Sequence, residues 1–406
     1  MTTSSATSAF ATVPVYAGDP ILSLMETFMA DTRPQKVSLS IGLYLDEQGK
    51  VPVMKAVRQA AGELGGQMAP STYLPMEGLA AYREAVGRLV FGDDSAALAQ
   101  RRVATLQTLG GSGALKVGAD FLRRHLDVRE IWVSDPTWDN HAALFEGAGL
   151  AVRTYPYYDP ATCGLRFEAM LQAFEAMPAG SLVLLHASCH NPTGVDLTRA
   201  QWESLIPLIA RRGLMPFVDM AYQGFGDGIA EDAWSVRALA EAGVEMLVAN
   251  SFSKNFSLYG ERVGGLSVVC ANQDAAARVL GQLKATVRRI YSSPAAHGAQ
   301  LVSRVLSSPQ GRAEWEAELA GMRDRMRRMR ELLHADLSNR FGSERDFGFL
   351  VRQRGMFSFT GLSPAQVDQL RDQHGVYLVG SGRLCVTGLT PANVGHVASA
   401  IASLFK

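Results

Sequence analysis

The stretch SFSKNFSLYGERVGG, residues 251–265, lies between two apolar runs, MLVAN at 246–250 and LSVVC at 266–270. Both runs are short and rich in aliphatic residues, which is typical of buried strands. Lys254 therefore follows the carboxyl end of a strand, with Arg262 eight residues later. A lysine that loses hydration there deprotonates more easily, and its neutral amine can form an imine with a carbonyl. A loop lysine is about ten times more often a solvated surface residue than a functional one. A functional role for Lys254 therefore needs support from partner residues elsewhere in the chain.

Outward from this stretch, strand-like and helical segments alternate along the chain. Apolar strands are predicted at 131–134, 182–186 and 214–219, and helices from residue 140 and over 198–211. Strands that alternate with helices imply right-handed crossovers and a largely parallel sheet flanked by helices. Ligands of such sheets bind beyond the carboxyl ends of the strands.

Three polar residues fall at that edge of the predicted sheet, namely Asn191, Asp219 and Lys254. A further candidate is the glycine-rich segment 110–113, which is predicted as a loop between the extended segment from Thr105 and an alanine-rich helix. Free N–H groups at the start of a helix suit a phosphate. The segment matches neither G-x-G-x-x-G nor a P-loop. A tight turn without a ligand is therefore about as common for such a segment as a phosphate-binding site.

The C-terminal part of the chain follows a different pattern. A long helix is predicted after Gly311, with a buried methionine stripe and a solvated arginine face that includes Arg330. We expect residues 1–48 to form an N-terminal arm and part of a small domain, residues 49–320 a large cofactor-binding domain, and residues 321–406 the rest of the small domain with a linking helix.

Composition narrows the class of protein. The 406 residues contain 39 Lys plus Arg and 39 Asp plus Glu, so no net charge draws the chain to nucleic acid or to a membrane surface. The four cysteines lack metal-ligand spacing, and we expect reduced thiols and no metal site. The first 30 residues contain no Lys or Arg, and no apolar run is long enough to span a bilayer. The expected location is the cytoplasm, with small molecules or a second copy as partners.

Together these features suit pyridoxal phosphate, which needs an amine, an anion cradle, a carboxylate for its ring nitrogen, donors for its phenolate oxygen and a flat ring partner. The chain resembles the class I aminotransferases of pyridoxal-phosphate fold type I, in the aspartate and aromatic amino-acid aminotransferase family. The resemblance runs from about Val15 to the C-terminus. It implies an α/β fold with a large domain, whose mostly parallel sheet is flanked by helices, and a smaller α/β domain built from both chain ends.

The resemblance also implies roles for individual residues. Lys254 would bind the cofactor and move a proton, and Asp219 would pair with its ring nitrogen. Tyr222 and Asn191 would donate to the phenolate oxygen, and Trp138 would stack on the ring. The phosphate would be held by Gly111, Ser112, Gly113, Ser251 and Arg262, with Tyr73 from a neighbouring subunit of a homodimer.

For the substrate, the resemblance implies that Arg383 binds the α-carboxylate and that Gly42, Trp138 and Asn191 line the site. Arg288 would reach across the dimer to the distal carboxylate of aspartate. The resemblance also places His141 and His186 near the cofactor ring. A structural role is about twice as common as a functional one for a lone histidine.

Substrate preference depends on the surroundings of Arg288. Several runs of sequence resemble bacterial aromatic amino-acid aminotransferases, so transfer from tyrosine and phenylalanine, and from aspartate or glutamate, to a 2-oxo acid such as 2-oxoglutarate is expected. Ile290 and Ala295 depart from the family pattern beside Arg288 and leave the aspartate-to-aromatic ratio open. A strict aspartate aminotransferase, a lyase or decarboxylase with the same cofactor, and a non-catalytic regulatory module are alternatives. A nicotinamide dehydrogenase is weakened by the missing glycine pattern.

Overall fold

The computed structural model describes residues 8–16, 18–66 and 72–405. In these residues the strands are β1 (Val37–Ser38), β2 (Val103–Leu109), β3 (Glu130–Asp135), β4 (Ala151–Pro156), β5 (Tyr158–Asp159), β6 (Gly164–Leu165), β7 (Leu182–His186), β8 (Met215–Met220), β9 (Met246–Ser251), β10 (Val263–Val269), β11 (Phe357–Phe359), β12 (Val376–Tyr377) and β13 (Arg383–Cys385).

The α-helices of the same residues are α1 (Pro20–Ala30), α2 (Lys55–Gly65), α3 (Ala80–Phe91), α4 (Ala96–Ala99), α5 (Gly110–His125), α6 (Asn140–Glu146), α7 (Phe167–Ala176), α8 (Arg199–Arg212), α9 (Ile229–Asp232), α10 (Trp234–Glu241), α11 (Gln273–Ile290), α12 (His297–Ser307), α13 (Pro309–Phe341), α14 (Phe349–Arg352), α15 (Pro364–His374) and α16 (Val394–Ser403).

A seven-stranded sheet forms the centre of the molecule, in the order β2-β10-β9-β8-β7-β3-β4. The pairs from β9 to β4 are parallel, whereas β10 runs antiparallel to both β9 and β2. Every residue of β9 and β10 is buried, because helices cover both faces. The prediction of a largely parallel sheet flanked by helices is confirmed.

The glycine-rich segment is a helix start and not the loop that was predicted. Strand β2 ends at Leu109 and α5 begins at Gly110, so no loop residue separates them. Gly110 has φ +68°, which lets the chain turn directly from strand into helix. Gly264 belongs to β10, and a Cβ there would lie 2.6 Å from the Asn250 carbonyl oxygen. Glycine at this position therefore allows close strand packing.

Two predicted helices have the expected signals. Thr198 and Gln201 form the capping box of α8, and Gly213 ends that helix with φ +61°. The 33-residue helix α13 buries the predicted methionine stripe, which consists of Met322, Met326 and Met329. The prediction that Arg330 lies on a solvated face is wrong, since this side chain is 3% exposed. Its guanidinium donates to carbonyl oxygens that include those of Leu350 and Gly355, which replace the lost water.

Segments from the two ends of the chain meet. Strand β1 pairs in parallel with β12, and β11 pairs with β13. Among the described residues before β2, only Val37–Ser38 forms a strand. Of the predicted N-terminal arm, the first seven residues lie outside the described part of the chain. Among the helices that the structure describes, none has both the length and the apolar character needed to cross a bilayer.

Candidate active site

The carboxyl edge of the sheet brings the predicted lysine and carboxylate together. Lys254 follows β9, and Asp219 is the next-to-last residue of the neighbouring strand β8. The Lys254 Nζ lies 5.2 Å from the centroid of the Tyr222 ring. Burial lowers the pKa of Lys254 to about 8, while Asp219 acts to raise it and Arg262 to lower it further. The amine is therefore partly neutral near physiological pH.

Asp219 is buried and has a specific partner. Its Oδ2 lies 3.1 Å from Nε2 of His141, whose Nδ1 lies 2.8 Å from the Thr137 hydroxyl. Burial alone would raise the pKa of the carboxyl group. The hydrogen bond and charge of His141 outweigh this effect, with smaller contributions from His186 and Lys254, so that the pKa lies below its usual value. The carboxylate is consequently ionised and available to a cationic partner.

Asn191 links two further predicted residues. Its Nδ2 donates to the Tyr222 hydroxyl at 3.4 Å, and its Oδ1 accepts from Arg383 at 3.4 Å. Burial raises the pKa of Tyr222 well above its usual range, so the phenol is protonated and can donate. These contacts place one amide between a phenol and a guanidinium.

Arg383 is 5% exposed and lies over the Phe357 ring, with its guanidinium carbon 4.4 Å from the ring centroid. Its NH2 group donates to the Ser40 carbonyl oxygen at 2.8 Å. Among the described residues, no carboxylate forms an ion pair with this guanidinium. A Cβ on Gly42 would lie 3.1 Å from the same Phe357 ring. A buried guanidinium without a carboxylate partner is suited to bind the carboxylate of a ligand.

A second group of donors surrounds the start of α5. A Cβ on Gly110 would lie 2.6 Å from the Arg262 NH2, and one on Gly111 would lie 3.3 Å from the Ser251 Cβ. Arg262 also donates to the Ser253 hydroxyl at 3.3 Å. The start of α5 thus contains the predicted residues Gly111, Ser112 and Gly113, and the side chains of Ser251 and Arg262 lie beside it. This positive end of a helix suits a phosphate group.

A row of histidines lies behind this site. The His141 ring is 5.4 Å from the His186 ring, which is 4.3 Å from the His190 ring, and Trp138 packs edge-on against His141 at 5.2 Å. Burial lowers the pKa of His186 to about 3, and neither of its ring nitrogens has a hydrogen-bond partner within the described residues. Ligand atoms of His141, His186 and Asp219 lie within 4.8 Å of one another.

Two predicted site residues lie outside this cluster. Tyr73 is 92% exposed. Arg288 is exposed at the end of α11, where it donates to the Ser292 hydroxyl. Neither is hydrogen-bonded, within the part of the chain that the structure describes, to the residues at the sheet edge.

Sequence reasoning missed three contributors. Thr137 precedes α6 and is only four residues before His141, so its nearness in the chain was the available signal. The Ser40 carbonyl and the Phe357 ring, which hold Arg383, gave no signal because each is far from Arg383 in the chain. Phe357 also packs edge-on against Tyr222 at 5.9 Å and so joins two parts of the site.

Known proteins share this chain's sequence and its fold. Residues 34–401 match the family described as aminotransferase class I and II. The aromatic-amino-acid aminotransferase of Escherichia coli K12 is 58% identical over 97% of this chain and 100% of its own length. The aspartate aminotransferase of Pseudomonas aeruginosa is 50% identical over 97% of this chain and 99% of that protein.

One solved structure adds the cofactor to this picture. The aromatic-amino-acid aminotransferase of Burkholderia pseudomallei, covalently bound to pyridoxal phosphate, has a TM-score of 0.96 and 51% identity, and the match covers 98% of this chain and 100% of that chain. With the match to the family over most of the chain, these likenesses show that the protein belongs to the class I and II aminotransferases.

Proposed function

We propose that this protein is a pyridoxal-phosphate-dependent aminotransferase that moves the amino group of tyrosine and phenylalanine, and of aspartate or glutamate, to a 2-oxo acid such as 2-oxoglutarate. The observation that carries the proposal is a set of three buried side chains, of which Lys254 and Asp219 lie at the carboxyl edge of the seven-stranded sheet and Arg383, from β13, is hydrogen-bonded to Asn191. Lys254 has a pKa of about 8, Asp219 is an ionised buried carboxylate, and Arg383 is a buried guanidinium without a carboxylate partner. Membership of the family and the likeness to aromatic and aspartate aminotransferases support the same reaction.

The residues present fit pyridoxal phosphate. When bound, this cofactor supplies an aldehyde for the amine and a conjugated ring that accepts electrons from the substrate carbon. Lys254 would hold it covalently, Asp219 would face its ring nitrogen, and Asn191 and Tyr222 would lie at its phenolic oxygen. Trp138 would cover the ring. The phosphate would be bound by Gly111, Ser112, Gly113, Ser251 and Arg262, with Tyr73 from a second copy of the chain.

Each of these side chains has a defined task in the transfer. The neutral Nζ of Lys254 would take the proton from the substrate α-carbon, hold it as the ammonium and give it back later in the transfer, which a group with a pKa near the working pH does well. Asp219, whose pKa is lowered, would stay ionised and so would stabilise a protonated ring nitrogen facing it. Arg383 orients the substrate by binding the substrate's α-carboxylate. The hydrogen bond between Arg383 and Asn191 fixes the positions of these two side chains relative to each other.

Tyr73 and Arg288 support a homodimer with composite sites. In the single chain both are exposed, as expected for residues that serve the site of a second copy. Arg288 would bind the distal carboxylate of aspartate, while Ile290 and Ala295 would adjust its orientation. We further propose a cytoplasmic location, and the division at residues 48 and 320 into two domains. The pairing of β1 with β12 supports a small domain made from both chain ends.

The test of the reaction compares Lys254→Ala with Lys50→Ala, a control at an exposed lysine. We expect the first variant to lose transfer from phenylalanine and aspartate by several powers of ten, and the second to match the wild type. Products are measured as 2-oxo acid, ammonia and carbon dioxide. Release of ammonia or carbon dioxide in place of amino transfer would favour a lyase or decarboxylase, and transfer from aspartate alone would favour the strict aspartate enzyme.

The dimer is tested by mixing two variant chains that each turn over aspartate poorly. Lys254→Ala and Arg288→Leu each impair aspartate turnover, but a mixed dimer would contain one site with both groups intact. Recovery of aspartate activity after the two variants are unfolded and refolded together supports composite sites. Sedimentation as a monomer, or no recovery from a verified mixed dimer, would contradict them.

A further inference from the structure

Two carboxylates, Asp196 and Asp232, bind the main chain next to Asn191 and Tyr222. Asn191 belongs to the segment that follows β7, and Tyr222 to the segment that follows β8. Asp196 lies five residues after Asn191, and Asp232 is the last residue of α9. Within the described residues, neither carboxylate is hydrogen-bonded to the Asn191 amide or the Tyr222 hydroxyl. Any influence on these two groups must therefore pass through the main chain.

Asp196 holds the two residues that directly precede Asn191. Its Oδ2 accepts from the Cys189 N–H at 2.7 Å, and its Oδ1 accepts from the His190 N–H at 2.8 Å. Cys189 has φ +52°, a conformation that residues other than glycine seldom adopt. Two hydrogen bonds to one carboxylate stabilise the chain in this conformation. The direction in which the Asn191 side chain leaves the main chain thus depends on Asp196.

Asp232 holds the segment that begins two residues after Tyr222. Its Oδ2 accepts from the N–H groups of Gly224 at 2.8 Å and Gly226 at 2.9 Å, and its Oδ1 accepts from the Asp227 N–H at 2.9 Å. A Cβ on Gly226 would lie 2.5 Å from the same Oδ1, so glycine at this position lets the carboxylate approach the main chain. One buried side chain thereby fixes three residues of the segment after Tyr222.

The charge of Asp196 suits this task. Burial raises its pKa to about 6, and Asp232 adds to the rise, whereas the two N–H groups and Arg354 act to lower it. The group is therefore mostly ionised at neutral pH, and both of its oxygens can accept. Each hydrogen bond that the described residues donate to Asp196 or Asp232 comes from a main-chain N–H. Such bonds to an ionised oxygen are stronger than bonds between neutral groups.

We propose that Asp196 and Asp232 are positioning residues, which hold the Asn191 amide and the Tyr222 hydroxyl where both would donate to the phenolic oxygen of pyridoxal phosphate. The inference rests on the proposed function. The two donors already meet, since the Asn191 Nδ2 lies 3.4 Å from the Tyr222 hydroxyl. A hydrogen bond donated to the phenolic oxygen stabilises its anionic form and lowers the pH at which the bound cofactor loses its proton. Displacement of either donor should raise that pH.

The test is an absorbance titration of the holoenzyme in Asp196→Asn and Asp232→Asn. Asparagine keeps the shape of the side chain but has one acceptor oxygen, so each segment loses part of its support. We expect the midpoint of the cofactor's absorbance change to rise by roughly half a pH unit to one unit, since complete loss of a hydrogen bond to a charged group corresponds to about one to two units. Asp159→Asn is the matched control, because Asp159 accepts from the Ala161 N–H at 3.1 Å but belongs to β5. Its midpoint should equal that of the wild type.

Paired backgrounds show whether each carboxylate acts through its neighbouring donor. Asp196→Asn is repeated in Asn191→Ala, and Asp232→Asn in Tyr222→Phe, where we expect no further shift because the donor is already gone. A merely structural role would lower Tm and leave the midpoint unchanged. That result in either folded variant, or a shift that persists in its paired background, would overturn the proposal. If only one of the two Asn variants folds, its own shift and paired background decide.

Failure of the proposed function would look different. A wild-type protein that neither binds pyridoxal phosphate nor transfers amino groups would overturn both proposals. Unchanged midpoints in folded variants of a protein that binds the cofactor and transfers amino groups would overturn the positioning role alone.

Discussion

Replacing Asp219 by Asn should lower the pKa of Lys254 further, and replacing Arg262 by Gln should raise it. Burial is the largest influence on this amine and brings its pKa from 10.5 to about 8. Asp219 opposes this shift because its negative charge stabilises the ammonium form, whereas Arg262 destabilises that form. The two variants remove charges of opposite sign, so the two shifts must have opposite directions.

The size of the starting effect makes the test practical. A pKa of about 8 leaves about half of the Lys254 side chains neutral at pH 8, against roughly one in 300 for a lysine at 10.5. The difference corresponds to about 3 kcal/mol between the two protonation states. A further change of one pKa unit would correspond to about 1.4 kcal/mol and would move the midpoint by one pH unit.

The assay uses the protein freed of cofactor, so that the Lys254 amine is not covalently blocked. Brief acetylation between pH 6 and pH 10 is followed by quantification of the Lys254 and Lys50 peptides, with exposed Lys50 as the internal reference. Circular dichroism checks that both variants are folded. Shifts of the same sign in the two variants, or a wild-type midpoint near that of Lys50, would refute the electrostatic assignment.

Three further outcomes are expected. Gly194→Ala should lower the free energy of unfolding by about 2 kcal/mol more than Gly213→Ala, because both glycines have positive φ but only the first would place a Cβ 2.2 Å from the Phe357 carbonyl oxygen; equal losses in urea unfolding would contradict this. His186 has a folded pKa of about 3 against 6.5 when unfolded, so the unfolded chain binds more protons between these values and stability falls as pH falls. His186→Gln should remove up to about 1.4 kcal/mol per pH unit of that slope, measured by urea unfolding between pH 6.5 and pH 4.5, and an unchanged slope would count against it. Arg288→Leu should lower kcat/KM for aspartate by roughly two to four powers of ten and change phenylalanine far less, whereas the neighbouring Arg289→Leu should change neither; equal losses for both amino acids would exclude Arg288 as the distal clamp.

The sheet, and the edge of it that carries Asp219 and Lys254, were predictable from local sequence. Period and composition indicate strands such as β9, and alternation with helices makes most of the sheet parallel. Parallel strands place their carboxyl ends on one edge, which is why Asp219 and Lys254 could be expected near each other before any coordinates were known. The capping box at Thr198 is equally local.

Features set by tertiary contacts were not predictable in this way. Helical spacing places Arg330, four residues after Met326 and three before Leu333, on the buried face of α13, but it does not say which distant carbonyl groups replace the hydration of its guanidinium. The Ser-Gly-Arg run marks Arg383, but its orientation depends on the Ser40 carbonyl and the Phe357 ring, which come from other parts of the chain. Periodicity carries no information about such pairings.

Burial shifts the pKa values of Asp219 and Lys254 in opposite directions, and partner residues decide which of the two groups stays charged. Loss of hydration favours the neutral form of both an amine and a carboxyl group. Asp219 remains ionised because His141 compensates its burial, whereas Lys254 receives too little compensation from Asp219 to keep its usual pKa. One buried site thus contains a fixed negative charge and, beside it, an amine that can lose its proton near neutral pH. This combination, which burial alone would not produce, suits the roles proposed for the two groups, in which Asp219 holds a cation and Lys254 attacks a carbonyl.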